Sequence, residues 1–322
     1  MATIPLNLFR SNGASPEGDV CCSAPAAGTL AGTGFADPPG VERRPDWLKV
    51  KLRDVNAISR MKPVLAGLHT VCESARCPNI GECWGRGTAT FMILGNLCTR
   101  RCTFCAVPQG TPEAPDRAEP TRLAEAVRDL GLKHTVITSV TRDDLADQGA
   151  AQFAECIHEV RRINPGCSIE VLIPDFQGDW NALDVVMQAR PEVLNHNIES
   201  VPRLYRRVRP GAVYQRTLEL LQRAHAYGTS KTKSGIMVGL GETGEEVVAT
   251  LQDLRAHDVE IVTIGQYLKP RQQRIPMFRY VHPDEFAEYK RIALELGFAH
   301  CESGPLVRSS YHAEEHVGAT LK

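Results

Sequence analysis

An α/β fold built as an open, partial (β/α)6 barrel is what this sequence predicts, and three observations predict it. Between residues 88 and 270, short β-branched apolar runs alternate with stretches whose apolar residues recur at helical spacing. Strands separated by helices pair in parallel through right-handed crossovers. Six strand–helix units are too few to close an eight-stranded TIM-like barrel, so the barrel is left open; a doubly wound sheet is the alternative use of the same units. In either arrangement the chemistry gathers at the C-terminal ends of the strands.

The elements follow in order. Thr88–Leu94 (TATFMIL) reads as a buried strand, and the helix Glu119–Leu130 spaces Leu123, Val127 and Leu130 along one face. The strand His134–Val140 precedes a helix, Ala151–Ile163, with Phe153, Cys156, Ile157 and Val160 on a single stripe. Strand Ser168–Ile173 and helix Trp180–Ala189 form the next unit, then strand Glu192–Asn197 and helix Val213–Tyr227. Tyr214, Leu218, Leu221 and His225 align on that last helix, which predicts a core histidine. Strand Gly235–Gly239, helix Glu245–Ala256 and strand Glu260–Gln266 complete the six. After Lys269 the pattern stops, and a helix at Pro283–Leu296 belongs to an extension outside the repeat.

Composition bounds the rest. The 322 residues carry 37 Lys+Arg against 38 Asp+Glu and are 43% hydrophobic, which excludes global disorder and offers no basic field for nucleic acid. No apolar run reaches bilayer-spanning length, so no membrane partner is expected. Residues 1–45 hold six Gly and six Pro without apolar periodicity and read as a flexible tail, in which Cys21 and Cys22 are incidental. That tail has one basic residue up to position 41, Arg10, beside Glu17, Asp19 and Asp37, so neither a transit peptide nor a secretory signal fits. The expected location is the cytoplasm, where clustered thiols serve as metal or redox ligands more than as disulfides. The division is then 1–45 tail, 46–87 N-terminal arm, 88–270 barrel and 271–322 C-terminal extension.

Six of the eleven cysteines fall between Cys72 and Cys105. Cys98, Cys102 and Cys105 form a C-x3-C-x2-C loop directly after the first strand of the repeat. Three thiolates on so short a loop can wrap three corners of a cubic iron–sulfur cluster and leave the fourth iron open to a small molecule. A structural zinc site wants four ligands, usually as two pairs, and a ferredoxin cluster wants a fourth nearby cysteine; neither is present. Arg100 and Arg101 would offset the negative charge and Phe104 would shield it.

This loop resembles the signature of the radical S-adenosylmethionine (SAM) superfamily. Upstream, Cys72, Cys77 and Cys83 follow C-x4-C-x5-C within ESARCPNIGECW, preceded by Pro-Asp-Trp-Leu-Lys at 45–49. With TSVTRDDL (138–145), NHNIE (195–199), TKSGIMVGLGET (232–243), RYVHPDEF (279–286) and GPLVRSSYH (304–312), the chain resembles the lipoyl synthase family across residues 45–316. The resemblance implies two 4Fe-4S clusters. Cys98, Cys102 and Cys105 would hold the one that chelates SAM and releases a 5′-deoxyadenosyl radical. Cys72, Cys77 and Cys83, with Ser309 as an unusual fourth ligand, would hold an auxiliary cluster that donates sulfur. The implied reaction inserts two sulfurs, at C6 and C8 of a protein-bound octanoyl chain. The implied partners are an octanoylated lipoyl carrier domain (glycine cleavage H protein or 2-oxoacid dehydrogenase E2) and a flavodoxin or ferredoxin donor. A two-cluster methylthiotransferase is the neighbouring reading, and a non-catalytic iron–sulfur electron carrier the more distant one. The chain departs from the family pattern at Thr141, Ala146, Gln148 and Lys269, where Asn, Pro, Gly and Gln are expected.

Strand ends nominate Thr138, Ser139 and Asn195 for SAM or substrate contact, and Arg209 as a cation for a carboxylate. His196 could serve structure or site equally. The Arg-rich run 203–209 could dock an acidic carrier or simply meet solvent. Gly239-Leu-Gly241-Glu-Thr-Gly244 fits a dinucleotide fingerprint but comes at the fifth strand, so it reads as a tight turn with Thr243 capping the next helix and Glu246 completing the box. Ser309 must come from the tail to meet the arm at 72–83, so the two segments are expected to close one end of the barrel.

Overall fold

The computed structural model describes residues 44–49, 55–75, 77–270 and 275–316. Most of the expected tail, with Cys21 and Cys22, lies outside them. A two-residue strand, β1 (His69–Thr70), pairs antiparallel with β2 (Thr88–Ile93). Every later neighbour is parallel: β3 (His134–Ser139), β4 (Ser168–Leu172), β5 (Val193–Asn195), β6 (Lys231–Val238), β7 (Ile261–Gln266) and β8 (His300–Gly304). The strand order is 1 to 8 without a pairing that closes the ring among the described residues, so the barrel is open.

Three differences from the sequence-based expectation have physical causes. The extension expected outside the repeat contributes α10 (Pro283–Glu295) and then β8, a seventh parallel strand. Its sequence, His-Cys-Glu-Ser-Gly, lacks the apolar run that marks a buried strand: only Cys301 is buried, and the other four residues are half-buried. Strand β6 begins four residues earlier than its apolar core, since Lys233 is buried against Glu170 and so can lie inside the sheet. A short helix, α7 (Pro202–Val208), occupies the Arg-rich run; Pro202 suits its first turn and Leu204, Tyr205 and Val208 face inward.

Before the barrel come α1 (Val55–Val64), α2 (Val71–Ser74) and α3 (Ile80–Gly85), the arm that carries the first cysteine triad. The outer layer is α4 (Glu119–Asp129), α5 (Ala150–Ile163), α6 (Trp180–Gln188), α8 (Tyr214–Ala226) and α9 (Gly244–Ala256). Their stripes are dry: Phe153, Cys156, Ile157 and Val160 of α5 are fully buried. Each such apolar side chain contributes about 1.5–3 kcal/mol over its exposed state. Strand β2 buries all six of its residues, as a parallel strand covered on both faces should. His225 departs from the expected core position: its side chain is 39% exposed and lies 3.7 Å from Glu260. The glycine-rich turn is structural. Glu242 accepts backbone N–H bonds from Gly239 and Leu240, and Thr243 and Glu246 form the full capping box on α9.

The arm and β2 are stitched to the C-terminal extension, as expected. Asn79 Nδ2 donates to the Leu306 carbonyl at 2.7 Å, Thr90 Oγ1 donates to Ser310 Oγ at 2.9 Å, and Tyr311 OH donates to Glu82 at 3.2 Å. Beyond these, α11 (Ala313–His316) is held by Glu314 and Glu315 against Arg86. Gly265 permits the approach: a Cβ there would stand 2.2 Å from the Val307 carbonyl oxygen.

Candidate functional site

The loop carrying Cys98, Cys102 and Cys105 leaves the C-terminal end of β2 and is clamped by its neighbours. Arg100 grips Asp143 with two bonds, at 2.7 and 2.8 Å, and also reaches the fully buried Asp175 at 2.6 Å. Asp175 is in turn tied to Arg216 at 3.1 Å. Burial alone would raise the Asp175 carboxyl, but Arg100 overrides it and holds the group down at about 2. Thr103 anchors the far side through the Arg207 and Val208 carbonyls. The expectation that Arg100 lies beside the thiols to offset their charge is met in part, since its guanidinium is spent largely on Asp143 and Asp175.

The backbone N–H groups of Arg100 and Thr141 point at the Cys98 sulfur, 3.4 and 3.3 Å away. Burial raises the thiols of Cys102 and Cys105, the latter to about 12, while the Arg209 guanidinium opposes the rise at Cys102. Thiols this dry ionise only when a metal takes the charge, and three soft sulfurs with backbone donors fit an iron–sulfur cluster. The described cysteines are all free of disulfides.

The second triad is carried by the arm. Thr70 caps α2, whose second residue is Cys72; Cys77 opens the turn into α3, and Cys83 sits on α3 itself. The three thiols line one small cavity with Thr88, Thr90, Arg308 and Ser310. Burial pushes Cys72 up to about 11 and raises Cys77 and Cys83 as well. Here too the donor set suits iron. Both serines of the tail motif reach this region: Ser309 and Ser310 both face the larger cavity, and Ser310 also lines the small one.

That larger cavity, about 1050 Å³, joins the two triads. Cys105 stands in its wall together with Cys72, Cys77, Arg308 and Ser309. Apolar walls come from Met92, Leu172, Ile236 and Met237, and polar groups from Asn197, Glu199, Thr263 and Gln266.

The residues nominated at the strand ends, and Arg209, lie outside the cavity wall. Asn195 is fully buried and donates to Glu170 at 2.9 Å, so its amide belongs to the barrel interior below the cavity. Thr138 donates to the Leu172 carbonyl at 2.9 Å and is likewise outside the cavity wall. Ser139 is also absent from that wall, although its hydroxyl is buried without a partner among the described residues. Arg209 is buried, donating to the Asn197 carbonyl at 2.6 Å and to Tyr205 OH at 3.0 Å, so it steadies the wall from behind.

Asn197 and Glu199, which do reach the cavity, sit two and four residues past β5. The chain leaves the ladder after Asn195 and runs beside β6, with Glu199 N–H on the Gly235 carbonyl at 2.9 Å. Glu199 adopts φ of 68°, and burial raises its carboxyl against the pull of Arg209. Within the NHNIE string it is thus the third and fifth residues, Asn197 and Glu199, whose side chains line the cavity. His196 is structural. Its Nδ1–H donates to the Ile173 carbonyl at 2.8 Å and its Nε2 accepts from Thr217 at 3.1 Å, both ring atoms fully buried.

An open parallel barrel with a three-thiol loop after its first parallel strand defines a radical SAM protein, and residues 92–254 match the Radical SAM superfamily. Solved structures agree on the fold: methylornithine synthase superposes with a TM-score of 0.50 at 14% identity, covering 64% of this chain and 62% of that one. A hydrogenase maturase gives 0.52 at 12% identity, with 71% and 62% covered. Members of this superfamily use SAM and a 4Fe-4S cluster. Lipoyl synthase of Rubrobacter xylanophilus is 57% identical over 286 residues, covering 88% of this chain and 89% of its own. That of Chlorobaculum parvum is 57% identical over 278 residues, covering 85% and 95%. The chain belongs to the lipoyl synthase family, radical SAM sulfurtransferases that insert two sulfur atoms at C6 and C8 of a protein-bound octanoyl group. No helix among the described residues is long and apolar enough to cross a membrane.

Proposed function

We propose that Cys98, Cys102 and Cys105 hold the radical-generating cluster, and that Cys72, Cys77, Cys83 and Ser309 hold a second, auxiliary 4Fe-4S cluster that supplies the sulfur. The observation that carries this is the shared cavity, whose wall contains cysteines of both triads. When bound, the clusters and SAM supply the hydrogen-abstracting radical and the sulfur atoms. The chain's own residues do the rest. Met92, Leu172 and Met237 offer an apolar wall along which an octanoyl chain can lie, while Asn197 and Glu199 offer polar anchors for the amino-acid and ribose parts of SAM. Arg308 brings a half-buried cation between the cavities, donating to the Val307 carbonyl at 2.7 Å.

The octanoyl group arrives on a carrier domain, H protein or an E2 component, and electrons from a flavodoxin or ferredoxin. The location is the cytoplasm, where nine free cysteines in the described residues stay reduced. The domain division follows the same logic, except that β8 joins the tail's start to the barrel.

Iron and acid-labile sulfide per chain, measured after anaerobic reconstitution, test the assignment. About eight irons are expected, falling to about four in Cys98/Cys102/Cys105→Ala and to about four in Cys72/Cys77/Cys83→Ala. The second variant is expected to cleave SAM reductively yet transfer no sulfur. About four irons in the wild type, lost entirely in either variant, would sink the two-cluster reading.

A further inference from the structure

The tail that carries both serines does not end at the site. It continues into α11, only four residues long, which is too short to hold a fixed position by its own backbone bonds. What fixes it is at the closed end of the barrel. Lys233 of β6 points inward with no exposed surface and donates to both carboxylate oxygens of Glu170, at 2.8 and 2.9 Å. Its third contact is His316 Nδ1 at 3.0 Å, also fully buried. Because the ammonium only donates, His316 must be neutral and accept through Nδ1. The His316 ring also lies against His300 of β8, with centroids 4.7 Å apart. Nearer the surface, Thr88 donates to Glu314 at 3.0 Å and Arg86 pairs with Glu314 and Glu315.

We propose that Glu170, Lys233 and His316 form a buried latch which positions the serine segment, residues 305–312, against the thiols of Cys72, Cys77 and Cys83. The inference rests on the reading that those thiols and a tail serine hold the auxiliary cluster. The segment is tethered at two ends, by β8 before it and by α11 after it. With both tethers fixed, a serine oxygen can leave its iron only by local distortion. With the latch open, the segment loses its C-terminal tether and keeps only β8 and its own bonds to Asn79, Thr90 and Glu82, so a serine oxygen leaves more readily. The latch residues are therefore positioning residues: they touch no reacting atom and set how readily the hard oxygen ligand is exchanged.

The test uses the full chain in the Cys98/Cys102/Cys105→Ala background, so that all bound iron is auxiliary. Iron release to a ferrous chelator and the Mössbauer signal of the oxygen-ligated iron are recorded for the parent, His316→Phe and His316→Asn. Phenylalanine keeps the volume and removes the acceptor; asparagine carries an amide oxygen where Nδ1 accepts. His316→Phe is expected to lose iron about tenfold faster, the factor conferred by one charge-assisted hydrogen bond, and to shift the signal. His316→Asn should restore both, and Arg86→Met, which cuts the tail at its surface ion pairs, should show a smaller change in the same direction. Parent-like release and spectrum in His316→Phe overturn the latch alone. A parent that binds no iron overturns the cluster reading and the latch with it. If His316→Phe and Arg86→Met both lower the melting temperature of the apo-chain enough to unfold it at assay temperature, the network serves stability and the latch is again overturned.

Discussion

Two serines stand side by side at the second triad, and they are not equivalent. Ser309 lines the large cavity alone, whereas Ser310 lines both cavities and accepts from Thr90 at 2.9 Å. With Ser309 as the ligand, Ser309→Ala changes the Mössbauer signal of the auxiliary iron and Ser310→Ala leaves it nearly as it was; the reverse pattern assigns Ser310 instead. Ser309→Cys is expected to retain iron but suppress sulfur transfer, because a thiolate is a softer and less exchangeable ligand than an alkoxide. Wild-type product yield in that variant would refute the lability argument. A departure from the family pattern also has a local reading. Gln148 occupies φ of 53°, where glycine is the cheapest residue, and its amide offsets the strain by donating to the Phe176 carbonyl at 2.7 Å.

Two helices of the outer layer, α6 and α9, start at side-chain caps. Asp179 accepts from Asn181 N–H at the head of α6, and Thr243 with Glu246 closes the capping box on α9. Arg203 of α7 then grips Glu246, so the cap also joins two helices. Thr243→Ala is expected to lower stability by about 1 kcal/mol in urea unfolding of the apo-chain. A loss well under half of that would mean that the Glu246–Arg203 pair alone secures the helix start. The cap lies just beyond the strand that carries Met237 into the cavity, so the helix start and the cavity wall are set together.

At the scale of the whole molecule, the barrel interior below the cavity is filled with buried polar groups, and their protonation sets its acid sensitivity. Burial holds both His134 and His196 neutral, lowering each to about 4 from an ordinary 6.5. Their unfolded forms take up protons first as the pH falls. The stability they contribute is therefore full above about pH 6.5 and lost progressively down through pH 4. Asp175, held at about 2 against an ordinary 3.8, continues the loss at lower pH, since its contribution is present above 3.8 and disappears as it protonates. Urea unfolding of the apo-chain should show a drop of a few kcal/mol between about pH 6.5 and pH 4. A flat profile over that window would count against neutral burial of the two histidines.

The sequence by itself determined the six central strands, the helices between them and both cysteine triads, because these are local. Apolar period reports burial within one element, and cysteine spacing reports reach along one loop. It also announced that the tail serines must meet the arm, through the string that resembles the family. Only the tertiary structure decided that β8 extends the sheet, that Lys233 lies inside it, and that Asn195 and Thr138 serve the interior while Asn197 and Glu199 reach the cavity. Those outcomes depend on partners distant in the chain: Lys233 is a tolerable interior residue only because Glu170, 63 positions earlier, and His316, 83 positions later, meet it there. A charge can be buried when its partner arrives with it, and no window of sequence around Lys233 contains that partner.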